Sequence, residues 1–247
     1  DLIGVTKSAK RAVLETVEAF KKEGHEVVQV TIPNFEQMIG LTIRVMSSDG
    51  KSRGATIVRE GEDPIPELKA GVILSQLPGW VRCILKKLLL LQGQKRLATL
   101  LDWTAEVQTY GYLDIVNRMF ELRNEFYDFW TSNGFDAMVT PALPPPFKHG
   151  SKNPLSLLSS CYFWIANIAN LSAGVVPVGK VLPGEDKIDP EDFKFKDGIK
   201  ATINDLEGSV GLPVNVHVMT LPWEDEKCLG LMKFIESHFN FKEYPKV

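Results

Sequence analysis

The 247-residue chain is 44% hydrophobic and 24% charged, ordinary values for a folded globular protein, so disorder is not the default reading. Its formal net charge of −3 leaves no electrostatic footprint for nucleic acid. Three widely separated cysteines, Cys83, Cys161 and Cys228, form no CxxC pair or Cys/His cluster, which argues against a zinc site and for reduced thiols in a cytosolic or cytosol-facing protein.

Asp1–Thr6 reads like the interior of a longer chain, and a truncation ahead of Asp1 is expected. Ser8 is a plausible N-cap for a helix carrying Val13, Leu14, Val17 and Phe20 at helical spacing, with Gly24 as its stop. Val27–Ile32 then alternates like a strand that Pro33 ends. Phe35–Val45 fits a helix, and residues 47–66, rich in Gly, Asp, Ser and Pro, read as loop. A long helix is expected over 105–131, its stripe made of Val107, Tyr110, Leu113, Val116, Phe120, Arg123, Phe126 and Trp130, closed by Asn133-Gly134. Ala137–Thr140 is a short buried strand; after a Pro-rich loop over 141–154, residues 155–171 form an apolar helix. Val175–Val178 and Val214–Met219 are further strands, residues 184–196 are acidic loop, and Glu224–Phe239 is a last helix with acids in its first turn. Strands separated by helices predict an α/β fold, a mostly parallel or mixed sheet covered by helices, with all four strands in one sheet.

Residues 77–104 carry the sharpest local signal. The uninterrupted apolar run Leu88–Leu91 is far below the roughly 20 residues that a spanning helix needs. Wound from Gly79, the segment lines Trp80, Ile84, Leu88 and Leu91 along one side; Gln92-Gly93 permits a break, and Gln94–Trp103 follows. Arg82, Lys86, Lys87, Lys95 and Arg96 stand against Asp102 alone, a local charge of +4 in an acidic chain. Such a helix-turn-helix suits a membrane interface, with Trp80, Val81, Ile84, Leu85, Leu88 and Leu91 in the acyl region and Lys86 and Lys87 on anionic lipid. Composition leaves three readings open: an interfacial helix pair, a hairpin packed on the core or on a second copy, and a partner-protein groove.

His25, His149, His217 and His238 are scattered, and no metal or cofactor motif occurs, so no metal and no cofactor is expected. Two Gly- and Pro-bearing strand entries stand out, Asn170–Val178 and Gly208–Trp223. In order and spacing, Asp136 with Thr140-Pro141, then Ala173-Gly174-Val175-Val176-Pro177, then Gly211-Leu212-Pro213-Val214 resemble the C-terminal half of the amidase-signature family. His217 stands where relatives often carry Gln. Ser172–Val178, Ser209–Val214 with Leu221-Pro222-Trp223, and Leu77-Pro78 with Trp80 ahead of a basic, Leu-rich stretch resemble that family's fatty acid amide hydrolase branch.

The resemblance implies an amidase-signature fold across nearly all of 1–247, with 77–104 as a membrane cap. It implies a serine hydrolase of fatty acid amides, working as a homodimer on a cytosol-facing intracellular membrane. The family's Lys–Ser–Ser core and its Gly/Ser-rich stretch are absent here; Gly150-Ser151-Lys152 and Ser159-Ser160 lie in the wrong place. No catalytic residue is therefore assigned within this sequence, and the isolated chain is expected to be inactive. Carried over by position, Leu100 and Thr104 fall at the membrane-side mouth of the acyl channel, Ser160 and Trp164 along its wall, and Trp223 further along it. Ser47, where the family commonly has Phe, leaves more room for the acyl chain. Two other readings stay open: a non-enzymatic lipid-binding protein built from an amidase C-terminal half, and a soluble amidase of small amides.

Overall fold

The computed structural model describes residues 4–49, 74, 77–143, 158, 160–188 and 199–243. Most of the 47–66 loop, the 141–154 loop beyond residue 143, residues 155–157 and 159 of the apolar helix, and residues 189–196 of the acidic loop lie outside that set. The chain forms two compact units: residues 1–33, 127–195 and 199–247, and residues 34–126 with 196–198.

The first unit opens with α1 (Lys7–Lys22). Its N-cap is Thr6 rather than Ser8: Thr6 Oγ1 accepts from the Ala9 N–H at 3.4 Å, while Ser8 is buried inside the first turn with its Oγ 3.1 Å from Thr6 Oγ1. Gly24 follows at φ +87°, a conformation that costs glycine no Cβ clash and lets the chain leave the helix. Val27–Ile32 is not a strand. The segment forms no regular element, pairs with no described strand, and exposes Val28 and Val30. Its alternation is real, but a strand exists only when a neighbour takes its backbone hydrogen bonds.

The other three expected strands form one sheet in the order β1-β3-β2, where β1 is Met138–Pro141, β2 is Ser172–Lys180 and β3 is Pro213–Thr220. Both pairings are antiparallel, not the mostly parallel or mixed pattern expected. The reason is positional. Both β1 and β2 run opposite to β3, so they are parallel to each other and are linked in chain order through a helix, as a βαβ unit requires. β3 inserts between them and splits the unit. Val214, Val216 and Val218 of β3 with Val176 and Val178 of β2 form one face, covered by Ala12 and Phe20 of α1 and by Cys228 and Ile235 of the last helix, residues Asp225–Phe239. Each large apolar side chain fully buried there contributes about 1.5–3 kcal/mol over exposure.

The second unit holds α2 (Phe35–Met46), α3 (Gly79–Leu91), α4 (Lys95–Trp103) and the first part of α5 (Thr109–Ser132), which belongs to the first unit from Tyr127 onward. Met38, Ile39, Leu41 and Ile43 of α2, Ala98 and Leu101 of α4, and Ile115, Leu122 and Phe126 of α5 are among its buried side chains. The expected stripe of α5 holds at its C-terminal end, where Phe126 and Trp130 are buried; nearer the N-terminus Tyr110, Leu113 and Phe120 are exposed and Ile115 and Leu122 lie inside instead. Both sets repeat at three- and four-residue intervals, so periodicity alone could not choose between them. Two further helices complete the chain order: α6 (Cys161–Ile168), the described core of the expected 155–171 helix, and α7 (Ile199–Leu206), a short helix with no sequence expectation behind it. The Asp225–Phe239 helix is α8.

Candidate functional site

α3 and α4 pack against each other and α4 packs on α2. No side chain of α3 is fully buried, although most of its residues are apolar. Trp80 is 70% and Leu91 84% exposed, and Ile84 and Leu88 lie open between them. The four expected residues therefore do form one outward face. Val81 and Leu85, expected in the same apolar layer, are instead half-buried on the flank. A helix point turns about 100° per residue, which carries them away from the Trp80–Leu91 line.

The basic residues also divide. The Arg82 guanidinium donates to the carbonyls of Leu74, at 2.7 Å, and of Leu101, and to Thr104 Oγ1 at 3.2 Å. It caps the carbonyl end of α4, where a cation offsets the helix dipole. Burial pushes its pKa down, against the raising effect of the Asp102 charge. Lys86 Nζ lies 2.5 Å from Asp102 Oδ2. Both cations are thus engaged within the hairpin. Lys87 and Lys95 are exposed and make no ion pair among the described residues.

Of the residues carried over as channel-lining in this unit, Leu100 is half-buried. Thr104 follows α4, and its hydroxyl donates to the Leu100 carbonyl at 3.0 Å while accepting from Arg82. Trp103, the last residue of α4, is half-buried against Gly40 of α2.

In the first unit, Ser160 precedes α6 in a helical conformation without a side-chain cap bond. Trp164 is buried within α6. Trp223, by contrast, is 88% exposed and takes φ +69° just beyond β3. A bulky residue rarely adopts the left-handed region, so the backbone of this turn is strained.

The sheet face opposite the valine core carries a polar pair that sequence reading passed over. Thr140 of β1 and His217 of β3 are register partners, and directly paired residues of antiparallel strands point to the same side. His217 is 4% exposed. Thr140 Oγ1 and His217 Nδ1 are buried without a hydrogen-bond partner among the described residues, while the ring bonds to the backbone of Tyr162 in α6. Burial lowers the imidazole pKa, with that backbone bond opposing, so the ring is held neutral. Beside it, burial raises the Cys161 thiol and the Tyr162 hydroxyl each to about 12. None of these groups is a nucleophile activated at neutral pH. The available signal was the Thr140-Pro141 motif and the His at a Gln position, but pairing across strands is not readable from one strand. Among the described residues no group of three or more acidic, His or Cys side chains is placed to hold a metal.

The comparisons with known proteins agree with the fold. Fatty-acid amide hydrolase 1 of Sus scrofa is 28% identical over 238 residues, covering 94% of this chain and 40% of the relative. Fatty acid amide hydrolase 1 of Caenorhabditis elegans is 27% identical over 239 residues, with the same coverage of 94% and 40%. The chain thus spans about two-fifths of the length of the curated relatives it matches. A solved fatty acid amide hydrolase superposes with a TM-score of 0.73 at 17% identity, over 97% of this chain and 38% of that one. A 6-aminohexanoate cyclic dimer hydrolase gives 0.54 at 10% identity, over 96% and 42%. At such identities the structures speak for the fold alone. A model of the Amidase family matches residues 2–229, and the chain belongs to that family.

Proposed function

We propose that this chain is the membrane-docking and acyl-channel part of a serine hydrolase that cleaves fatty acid amides to a fatty acid and an amine. The observation that carries the reading is the open α3 face of Trp80, Ile84, Leu88 and Leu91. A soluble helix this apolar ordinarily buries its stripe. Here the stripe faces out beside basic residues, which suits a bilayer surface. No described helix is long and apolar enough to cross a membrane, which fits a helix pair lying in one leaflet. A fatty amide dissolves sparingly in water, so delivery from the bilayer spares the amide a passage through it. Burying that face at about 25 cal/mol per Å² supplies several kcal/mol.

The remaining parts of the proposal rest on resemblance. By that resemblance Leu100 and Thr104 are the membrane-side mouth of the acyl channel, and Ser160, Trp164 and Trp223 are acyl-chain contacts. The catalytic Lys and serines come from sequence outside these 247 residues, so the chain by itself does not turn over oleoyl amide. The complete protein works as a homodimer on a cytosol-facing intracellular membrane. The test is liposome flotation of the chain. Ile84→Glu with Leu88→Glu is expected to abolish binding at every salt concentration; a double variant that still floats would remove the docking role.

A further inference from the structure

Lys86 and Lys87 adjoin in sequence but not in setting. Lys87 is exposed within the apolar face, with Trp80, Cys83, Ile84 and Leu91 at its i−7, i−4, i−3 and i+4 positions, and no described residue pairs with it. Lys86, one residue and about 100° earlier, points toward α4 and meets Asp102 Oδ2 at 2.5 Å. Arg82 is spent on the Leu74 and Leu101 carbonyls and Thr104.

Resting on the reading that this face meets a bilayer, we propose that the arm recognises anionic lipid phosphate through Lys87, and that Asp102 withholds Lys86 and so sets how much anionic lipid the chain needs to dock. A lysine inside an apolar face satisfies its charge only by reaching up to headgroup phosphates, which fixes the helix near the phosphate plane. The Asp102 carboxylate repels those phosphates and neutralises the neighbouring cation. Its pair with Lys86 is half-exposed on both sides, 39% and 51%, and such pairs are weak. A sufficiently anionic surface therefore competes it away, whereas a neutral surface does not. Sequence composition weighs the two lysines equally; the helix turn and Asp102 separate them.

The experiment is flotation of the chain with phosphatidylcholine vesicles carrying increasing phosphatidylserine. Lys87→Gln is expected to weaken binding to the anionic vesicles about fivefold, from roughly one lost cation–surface interaction, and more than Lys86→Gln does. Asp102→Asn is expected to tighten it by about fivefold or more and to shift half-binding to less phosphatidylserine. Asp102→Asn should leave binding to neutral vesicles unchanged, because no surface potential acts on the cation it frees. Lys86→Gln with Asp102→Asn breaks the same pair without freeing a cation and should bind as the wild type does. Equal losses for Lys86→Gln and Lys87→Gln would overturn the proposal, because the lysines would then act as smeared charge. So would a gain from Asp102→Asn that persists in the double variant, because it would come from a loosened hairpin. Ile84→Glu with Leu88→Glu separates the two levels: if that protein still floats, the docking reading itself is wrong.

Discussion

The indole of Trp103 lies against the backbone of Gly40. A Cβ at position 40 would stand 2.7 Å from Trp103 Cε2 and 2.8 Å from Cζ2, closer than real Cβ contacts come. Gly40 is in the interior of α2, where Ala would ordinarily be favoured by about 0.5–1 kcal/mol. It is the close approach of a rigid ring that selects glycine, and this contact seats the end of α4 on α2.

Gly40→Ala is therefore expected to destabilise the protein despite the better helix propensity, by about 1–2 kcal/mol of overpacking. Thermal melting checks the sign. Trp103→Leu in the Gly40→Ala background should recover part of the loss, because the smaller side chain clears the new methyl. A melting temperature for Gly40→Ala above that of the wild type would show that the ring yields freely.

His217 supplies a pH dependence. Its pKa in the folded chain is lowered by burial from the ordinary 6.5. Between that lowered value and 6.5 the unfolded chain binds a proton that the native ring refuses, so stability falls as pH drops through this window and is complete above it. Melting at about pH 7.5 and about pH 5.5 should show a drop for the wild type that shrinks in His217→Gln. The same drop in both proteins would place the effect on other groups.

The three thiols should separate by reactivity. Cys161 and Cys228 are buried, and burial raises both their pKa values, Cys161 to about 12. Because the thiolate is the reacting form, both should resist a maleimide in the folded protein, while the exposed Cys83 labels quickly. Mass spectrometry of a time course reads this directly: one fast adduct that disappears in Cys83→Ser, and two more only on unfolding. Early labelling of Cys161 would mean that α6 opens readily from the sheet.

The sequence by itself determined where most of the helices lie, three of the strands and which face of α3 is apolar. Each of these is local: glycines such as Gly24 and Gly134 end helices through positive φ, and a single turn-by-turn pattern aligns Trp80, Ile84, Leu88 and Leu91. Three of the four expected strands formed for the same reason. Only the tertiary structure decided the relations between segments. Val27–Ile32 has the alternation of a strand but pairs with no described one, and β3 sits between β1 and β2, reversing the pairing that helix-separated strands suggested. The buried face of the N-terminal part of α5, the Gly40–Trp103 contact, the Thr140–His217 pair and the division of Lys86 from Lys87 belong to the same class. Each depends on a partner far away in the chain, and a periodic pattern records how strongly a residue prefers burial, not which neighbour buries it.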